Sequence, residues 1–501
     1  MTPRRARLIL LTSSLAAATL AVLRAGPPAP APHDAPAERF SATRARDTVA
    51  ELLGDGAPHP VGSPANAAVR DRLLARLRAL GLTPEVQRAF VCSGNGTCAT
   101  VENVLAWLPG QVAGPAVALL SHYDSVPAGP GAADDMQGVA ISLATLEILR
   151  DTPRKRPLAA IFTDGEEAGL LGARAFTEHP RFAEIGVALN AEARGTTGAA
   201  RMFETSDDNL ALISALADAP RPSALSLSYE VYRRLPNDTD LTVFKRRGAQ
   251  GMNFAFVGGV QRYHTPRDDL AHLDLGSVQQ QGDAVLASAR ALLDTDLSQK
   301  PSTNAHYVDL FGAALVRWPA WVDVPLALLV LLALLATARR AAVPAAAIAR
   351  AAGFTLLAPL AGGLAGFAAI WLIEQVSGPL GGWPAALHWP VLSASLLALA
   401  AAVPPLRRAA SRAGALAQAL GTWLVWTLLA LALAFAIPGA SILLLLPAAL
   451  AALVVVRPGS LLAPGLAAAL ACAVWAPLAP SLVEELSLSG AIVGAIDGWL
   501  A

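Results

Sequence analysis

The chain has 501 residues in which 38 Lys and Arg balance 38 Asp and Glu, so it carries no net charge with which to hold a polyanion, and no nucleic-acid partner is expected. Hydrophobic residues make up 54% of it and the mean hydropathy of +0.47 is high for a chain in water, which excludes a wholly soluble protein. With three cysteines it is no disulfide scaffold.

The first residues, "MTPRRARLILLTSSLAAATLAVLRAG", place a basic head before an uncharged apolar run from Leu8 to Leu23. This suits a signal peptide or a short membrane anchor, and because further apolar segments follow it is read as an uncleaved anchor over 1–25. Residues 26–44 are Pro/Ala-rich and read as an extended linker. Residues 69–82, "VRDRLLARLRALGL", have the apolar spacing of a helix. Cys92 and Cys98 flank "SGNGT"; they form a small disulfide if the domain faces an oxidising space, and stay free thiols if it does not.

The runs "PAVALLSHYD", "PLAAIFTD", "GVALNAEA" and "MNFAFVGG" read as buried strands, with the helical "QGVAISLATLEILRD" between the first two. Strand, helix, strand with short joints implies right-handed crossovers and a mainly parallel sheet, whose ligands sit beyond the carboxyl ends of the strands. Those ends are where charge gathers. His122 and Asp124 close the first strand, and Asp134 and Asp135 lie in the next loop. Glu166 and Glu167 follow the second strand, Glu192 ends the third, and His264 follows the fourth. Taken singly each has an ordinary explanation, an aspartate as helix cap, a solvated glutamate pair, a surface His264 or His272. Together, on four strand ends of one sheet, so many carboxylates would repel one another and resist ionisation unless cations sat among them. His33, His59, His179, His306 and His388 lack such company.

Beyond residue 320 the chain becomes a series of apolar runs, at about 321–338, 353–373, 388–404, 415–437, 441–456 and 461–480, with a possible last one at 487–500. The arginine clusters Arg4/Arg5/Arg7, Arg339/Arg340/Arg350, Arg407/Arg408/Arg412 and Arg457 all fall on one side if these runs cross in turn. The intervening loops hold glutamate without Lys or Arg. The positive-inside rule then puts residues 26–318 outside the cytoplasm. No long run carries a charge near its centre, which favours an anchoring or scaffolding role over transport.

The series "HYDS…GAADDMQG…TDGEEAGLLGA…NAEARG…YHTPRDDLAHL" resembles the co-catalytic zinc aminopeptidases, a family that also holds the glutaminyl cyclases. With its apolar tail, the chain looks most like the vacuolar and endoplasmic-reticulum membrane metallopeptidases and their bacterial relatives. The resemblance covers roughly residues 45–295. It implies a zinc exopeptidase fold, a mainly parallel mixed α/β sheet with helices on both faces, over 45–298. A linker over 299–320 and an all-α transmembrane domain over 321–501 follow.

Residue by residue, the resemblance makes His122, Asp134, Glu167, Glu192 and His264 ligands of two Zn2+ ions per chain, with Asp134 shared between them. Asp124 orients His122, and Glu166 is the general base. Glu192 stands where many soluble relatives have aspartate. Asp240, in "PNDTDLTVF", matches a segment near the substrate, with an ordinary turn as the competing reading, and Tyr263, beside the ligand His264, is a candidate substrate-binding residue that would steady the tetrahedral intermediate. The implied function is an aminopeptidase acting on peptides, held in membrane lipid with its catalytic domain in the periplasm or an equivalent space. The alternatives are a transporter or scaffold with a peptide-binding domain, and a single-zinc cyclase.

Overall fold

The computed structural model describes residues 26–297, 302–310, 312–377 and 414–455, with a few scattered positions before residue 25. The expected N-terminal anchor and the apolar runs at 388–404, 461–480 and 487–500 lie outside the described residues. The chain divides into two compact units, one formed by Gly26–Ala305 with Gly312–Arg317, the other by His306–Phe311 with the chain from Trp318 onward and the first 25 residues.

In the first unit α1 (Ala42–Leu53) and α2 (Pro64–Ala79) each start on a serine, Ser41 and Ser63, whose hydroxyl accepts a first-turn backbone N–H. The chain continues through β1 (Glu85–Cys92), β2 (Cys98–Leu108), β3 (Ala116–His122), α3 (Gln137–Leu149), β4 (Leu158–Thr163), α4 (Leu171–Thr177) and β5 (Ile185–Ala193). After these come β6 (Arg201–Thr205), α5 (Leu210–Leu216), α6 (Ser226–Tyr232), α7 (Asp240–Arg246), β7 (Gln250–Phe256) and α8 (Leu275–Leu293).

The strands form one seven-stranded sheet in the order β1-β2-β4-β3-β5-β7-β6. Its centre is parallel, β4 to β3 to β5 to β7, and its flanks are antiparallel, β1 to β2, β2 to β4 and β6 to β7. Every residue of β3 (AVALLSH) and β4 (LAAIFT) is buried, so helices cover both faces, as continuous apolar runs require. Phe176 of α4 and Leu241 and Phe244 of α7 pack with Ala118, Leu120 and Ile161 on one side. On the other side α1, α3 and α8 pack together.

Cys92 and Cys98 are joined by a disulfide across the β1–β2 hairpin. The hairpin tip reaches the loop after β4. Gly169 there has φ +111°, and a Cβ on it would lie 2.8 Å from the Cβ of Ser93, so the approach depends on glycine. The Pro/Ala-rich stretch before α1 is no free tether. Gln279 of α8 accepts from the backbone N–H groups of Ala31 and Ala42 and donates to the carbonyl of Phe40. Phe40 is 1% exposed and lies against Gly282.

A separate two-stranded sheet pairs β8 (Ala305–Leu310) with β9 (Ala314–Pro319). The second unit then holds α9 (Asp323–Arg340), α10 (Ala345–Ser377), α11 (Ala415–Ala436) and α12 (Ser441–Val455). Three helical stretches, Ala320–Arg340, Ala345–Ala365 and Ala415–Ala436, are long and apolar enough to cross a membrane. Trp423, Trp426, Leu444 and Leu445 pack between these helices while Leu329, Leu332, Leu360 and Leu364 face outward, a surface suited to lipid. At the start of α9 the buried Asp323 carboxylate accepts from Trp318 Nε1 at 2.5 Å and from Ser441 Oγ, and lies 2.6 Å from His306 Nδ1.

Candidate metal centre

The parallel strands β4, β3, β5 and β7 end on one rim, and each ending or the loop after it delivers a polar side chain. His122 is the last residue of β3 and is 1% exposed. Its Nδ1 lies 3.1 Å from the carbonyl oxygen of Asp124. A carbonyl can only accept, so Nδ1 carries the hydrogen and Nε2 of the neutral ring keeps its lone pair. That Nε2 faces Asp134 Oδ1 at 3.2 Å and Glu192 Oε2 at 3.8 Å.

Asp134 sits in the tight turn Ala132–Met136 that joins β3 to α3, at non-helical φ −110°, ψ 87°. Its second oxygen, Oδ2, faces His264 Nε2 at 3.2 Å. His264 Nε2 also lies 3.2 Å from Glu167 Oε2. One carboxylate thus presents one oxygen to each of two imidazoles, with a second carboxylate beside each ring.

His264 takes a left-handed backbone, φ 56°, and the Tyr263 ring stacks on its imidazole with centroids 3.7 Å apart. The left-handed region is costly for a residue with a Cβ and persists where the surroundings demand it. Asp124, buried, also organises the loop after β4, because its two oxygens accept the backbone N–H groups of Glu166 at 3.0 Å and Glu167 at 3.3 Å.

The groups perturb one another strongly. Burial would raise Asp134, but the protonated forms of His122 and His264 hold it down at about 2. Burial and the Asp134 charge push Glu167 up to about 7. Glu192 is pushed up to about 8 by burial against the pull of His122. Burial would lower His264, yet Asp134 and Glu167 raise it to about 9. Glu166 is raised well above the usual carboxylate range by burial, with Glu192, Asp240 and Glu167 adding to the effect, which places its carboxyl among theirs.

Asp240 opens α7 and is 1% exposed. Its Oδ2 accepts from Thr163 Oγ1 at the end of β4, while its Oδ1 is buried with no hydrogen-bond partner. Glu167 Oε1 is likewise buried and unpartnered. A carboxylate oxygen without a donor in a dry site is expensive, and a divalent cation is the partner such an oxygen fits. Two overlapping groups, both including His122, have donor atoms within 4.8 Å of one another, His122 with Asp134 and Glu167, and His122 with Asp135 and Glu192. Imidazole nitrogen and carboxylate oxygen without thiolate suit zinc in an open site.

The structure therefore brings together all of the expected ligand side chains, and sets Asp124, Glu166, Asp240 and Tyr263 against them. It adds residues the sequence reading passed over. His59 is 1% exposed and lies where the charges of Asp124 and His122 act on it. Asn190, two residues before Glu192, donates to Glu192 Oε1 at 3.1 Å. Asp268, four residues after His264, grips the Asp134 turn. Of these, only Asp268 had a signal in the chain, its place inside "RYHTPRDDLAHL".

Residues 103–289, from β2 to α8, match the family model described as Peptidase family M28. The chain carries a peptidase family M28 domain. A "Vacuolar membrane protease" of Eremothecium gossypii is 33% identical over 289 residues, which cover 52% of this chain and 28% of that protein. "Endoplasmic reticulum metallopeptidase 1" of Mus musculus is 27% identical over 311 residues, 56% of this chain and 34% of the other. The chain thus spans about a third of the length of these curated relatives. Among solved structures, a Zn-dependent exopeptidase from Parabacteroides distasonis aligns with 50% of this chain and 98% of its own at 19% identity and a TM-score of 0.43. The M28 domain is that of a metallopeptidase family.

Proposed function

We propose that the chain is a membrane-held aminopeptidase that cleaves the N-terminal residue from peptides with two zinc ions. The observation that carries this reading is the placing of Asp134, whose two oxygens each face a different histidine at 3.2 Å. His122 and Glu192 with one oxygen, and Glu167 and His264 with the other, would hold the two cations. When bound, they would polarise the scissile carbonyl and acidify the attacking water.

The chain's own residues do the rest. Glu166, its backbone fixed by Asp124, accepts the proton of the attacking water and returns it to the departing amine. Asp124 keeps His122 in the tautomer whose Nε2 is free to ligate, and sets Glu166 and Glu167 in register on one carboxylate. Asp240 suits the recognition of an N-terminus, since its unpartnered Oδ1 is an anion lacking a cation and the substrate's free ammonium supplies one. Tyr263 stacks on His264 and steadies that ring.

The reading also places the M28 domain outside the cytoplasm in a chain that crosses the membrane several times. The Cys92–Cys98 disulfide supports an oxidising side, and Arg339 and Arg340 at the end of α9 support a cytoplasmic one for that end.

The test is Glu166→Gln with metal analysis of both forms. The variant is expected to hold two zinc ions, as wild type does, and to lose hydrolysis of aminoacyl amides by a factor of at least about 100. Undiminished hydrolysis removes Glu166 from the mechanism. One ion per chain at saturation replaces the aminopeptidase reading with a single-zinc cyclase, and no hydrolysis by wild type leaves a peptide-binding scaffold.

A further inference from the structure

His264 and Asp134 meet across two loops that the sheet does not connect directly, and one buried residue joins those loops. Asp268 is 3% exposed. Its Oδ1 accepts the backbone N–H of Ala133 at 2.7 Å and its Oδ2 that of Asp134 at 3.1 Å. Its own carbonyl accepts the N–H of Ala132 at 3.0 Å. Three successive donors of the turn that carries Asp134 are therefore received by one residue.

Asp268 is also part of the loop that carries His264, folded back so that its N–H donates to the carbonyl of Thr265 at 3.0 Å. The two loops touch closely elsewhere, since a Cβ on Gly129 would lie 2.3 Å from the Thr265 carbonyl oxygen. Both oxygens of Asp268 accept backbone donors of that turn, and Asp268 belongs to neither group of side chains close enough to share an ion. Charge-assisted bonds from a carboxylate to backbone N–H groups are about twice as strong as neutral ones.

We infer that Asp268 is a positioning residue that sets the spacing between His264 and the far oxygen of Asp134, and so governs the affinity of one cation, the one these two share with Glu167. The other cation, held by His122, Glu192 and the near oxygen of Asp134, draws its geometry from β3 and β5 and depends on Asp268 less. The inference rests on the two-cation reading above. An asparagine at 268 keeps the shape but turns one acceptor into an N–H donor aimed at a backbone N–H. The clamp then holds by one strand instead of two.

The experiment is equilibrium dialysis of the full-length chain in detergent against graded free zinc, for wild type and Asp268→Asn. In the variant one of the two ions is expected to lose about 10- to 100-fold in affinity, the range for losing a partner behind a ligand, while the other keeps its wild-type affinity. Peptide hydrolysis at limiting zinc falls in kcat with KM unchanged, and excess zinc restores it. Cobalt(II) loaded in place of zinc is expected to show an altered visible spectrum for one of the two equivalents alone. Where the asparagine variant does not fold, Asp268→Ser, with one acceptor in a smaller side chain, is expected to give the same selective loss. Wild-type affinity for both ions in a folded variant overturns the inference, as does a parallel loss of both. If wild type itself binds fewer than two ions, the two-cation reading fails first, and the dialysis of wild type alone shows it.

Discussion

Glu167, Glu192 and His264 hold protons more tightly in the fold than as free side chains, pushed up to about 7, 8 and 9. A group with a raised folded pKa lets the native state bind more protons than the unfolded chain, so stability falls as pH rises through the window between the two values. For the glutamates the window runs from about 4.5 to 7 or 8, and for the histidine from about 6.5 to 9, so all three act in the same direction between pH 6.5 and 7. Asp134, lowered to about 2, contributes its stabilisation in full across that range and loses it only as pH falls from about 4 toward 2. Cations relieve the repulsion and displace the protons. The expected outcome is that the gap in Tm between zinc-loaded and chelated protein widens from pH 6 to pH 8, and that zinc binding at pH 6.5 releases protons measurable in a weakly buffered titration. A gap that stays flat or narrows with pH would remove these three groups from the zinc site. At this scale the chain was informative wherever a residue bears its chemistry in its type, as His122, Asp134, Glu166 and His264 do. It was silent on Asn190 and His59, because an amide or a lone histidine shows its role only once a distant segment has folded against it.

At the scale of elements, the β1–β2 hairpin is a brace. Its tip, closed by Cys92–Cys98, leans through Ser93 on Gly169, three residues after Glu166. Ala168 of the same loop packs with Val91, Val101 and Leu171. Replacing both cysteines by serine removes a short cross-link worth about 2 kcal/mol on loop-closure grounds. The variant is expected to melt several degrees lower and to lose activity more steeply than wild type on approach to that temperature. Gly169→Ala, which needs a left-handed φ and meets Ser93, is expected to loosen the same loop with the disulfide intact, read as faster amide exchange at residues 166–171. Unchanged exchange would show that the hairpin leans on nothing that matters. The central strands were legible because a strand buried on both faces is a bare apolar run. The flanking β1, β2 and β6 were not, since their half-exposed patterns, such as that of "EVQRAFVC", mix polar and apolar residues without a clean period.

At the scale of the whole molecule, two units of different solvent preference are written into one chain, and the apolar runs announce the second as plainly as the acidic loops announce the first. The described helices at Ala320–Arg340 and Ala415–Ala436 fall on the runs expected at 321–338 and 415–437, and α10, Ala345–Ser377, contains the run expected at 353–373. If the arginine pattern sets orientation, a protease admitted to the non-cytoplasmic side of the intact membrane is expected to attack the unit around the M28 domain and to spare a reporter placed after Arg340. The opposite pattern of protection would invert the proposed orientation.

The strap of residues 27–41 along α8 has a practical corollary. Gln279 would lose its bonds to Ala31, Phe40 and Ala42 in a shortened chain beginning beyond that point, and the socket that Phe40 fills against Gly282 would open to water. Whoever wants the M28 half as a free-standing fragment should therefore sever it ahead of Gly26, because a cut that looks economical on paper would unzip a seam of the core.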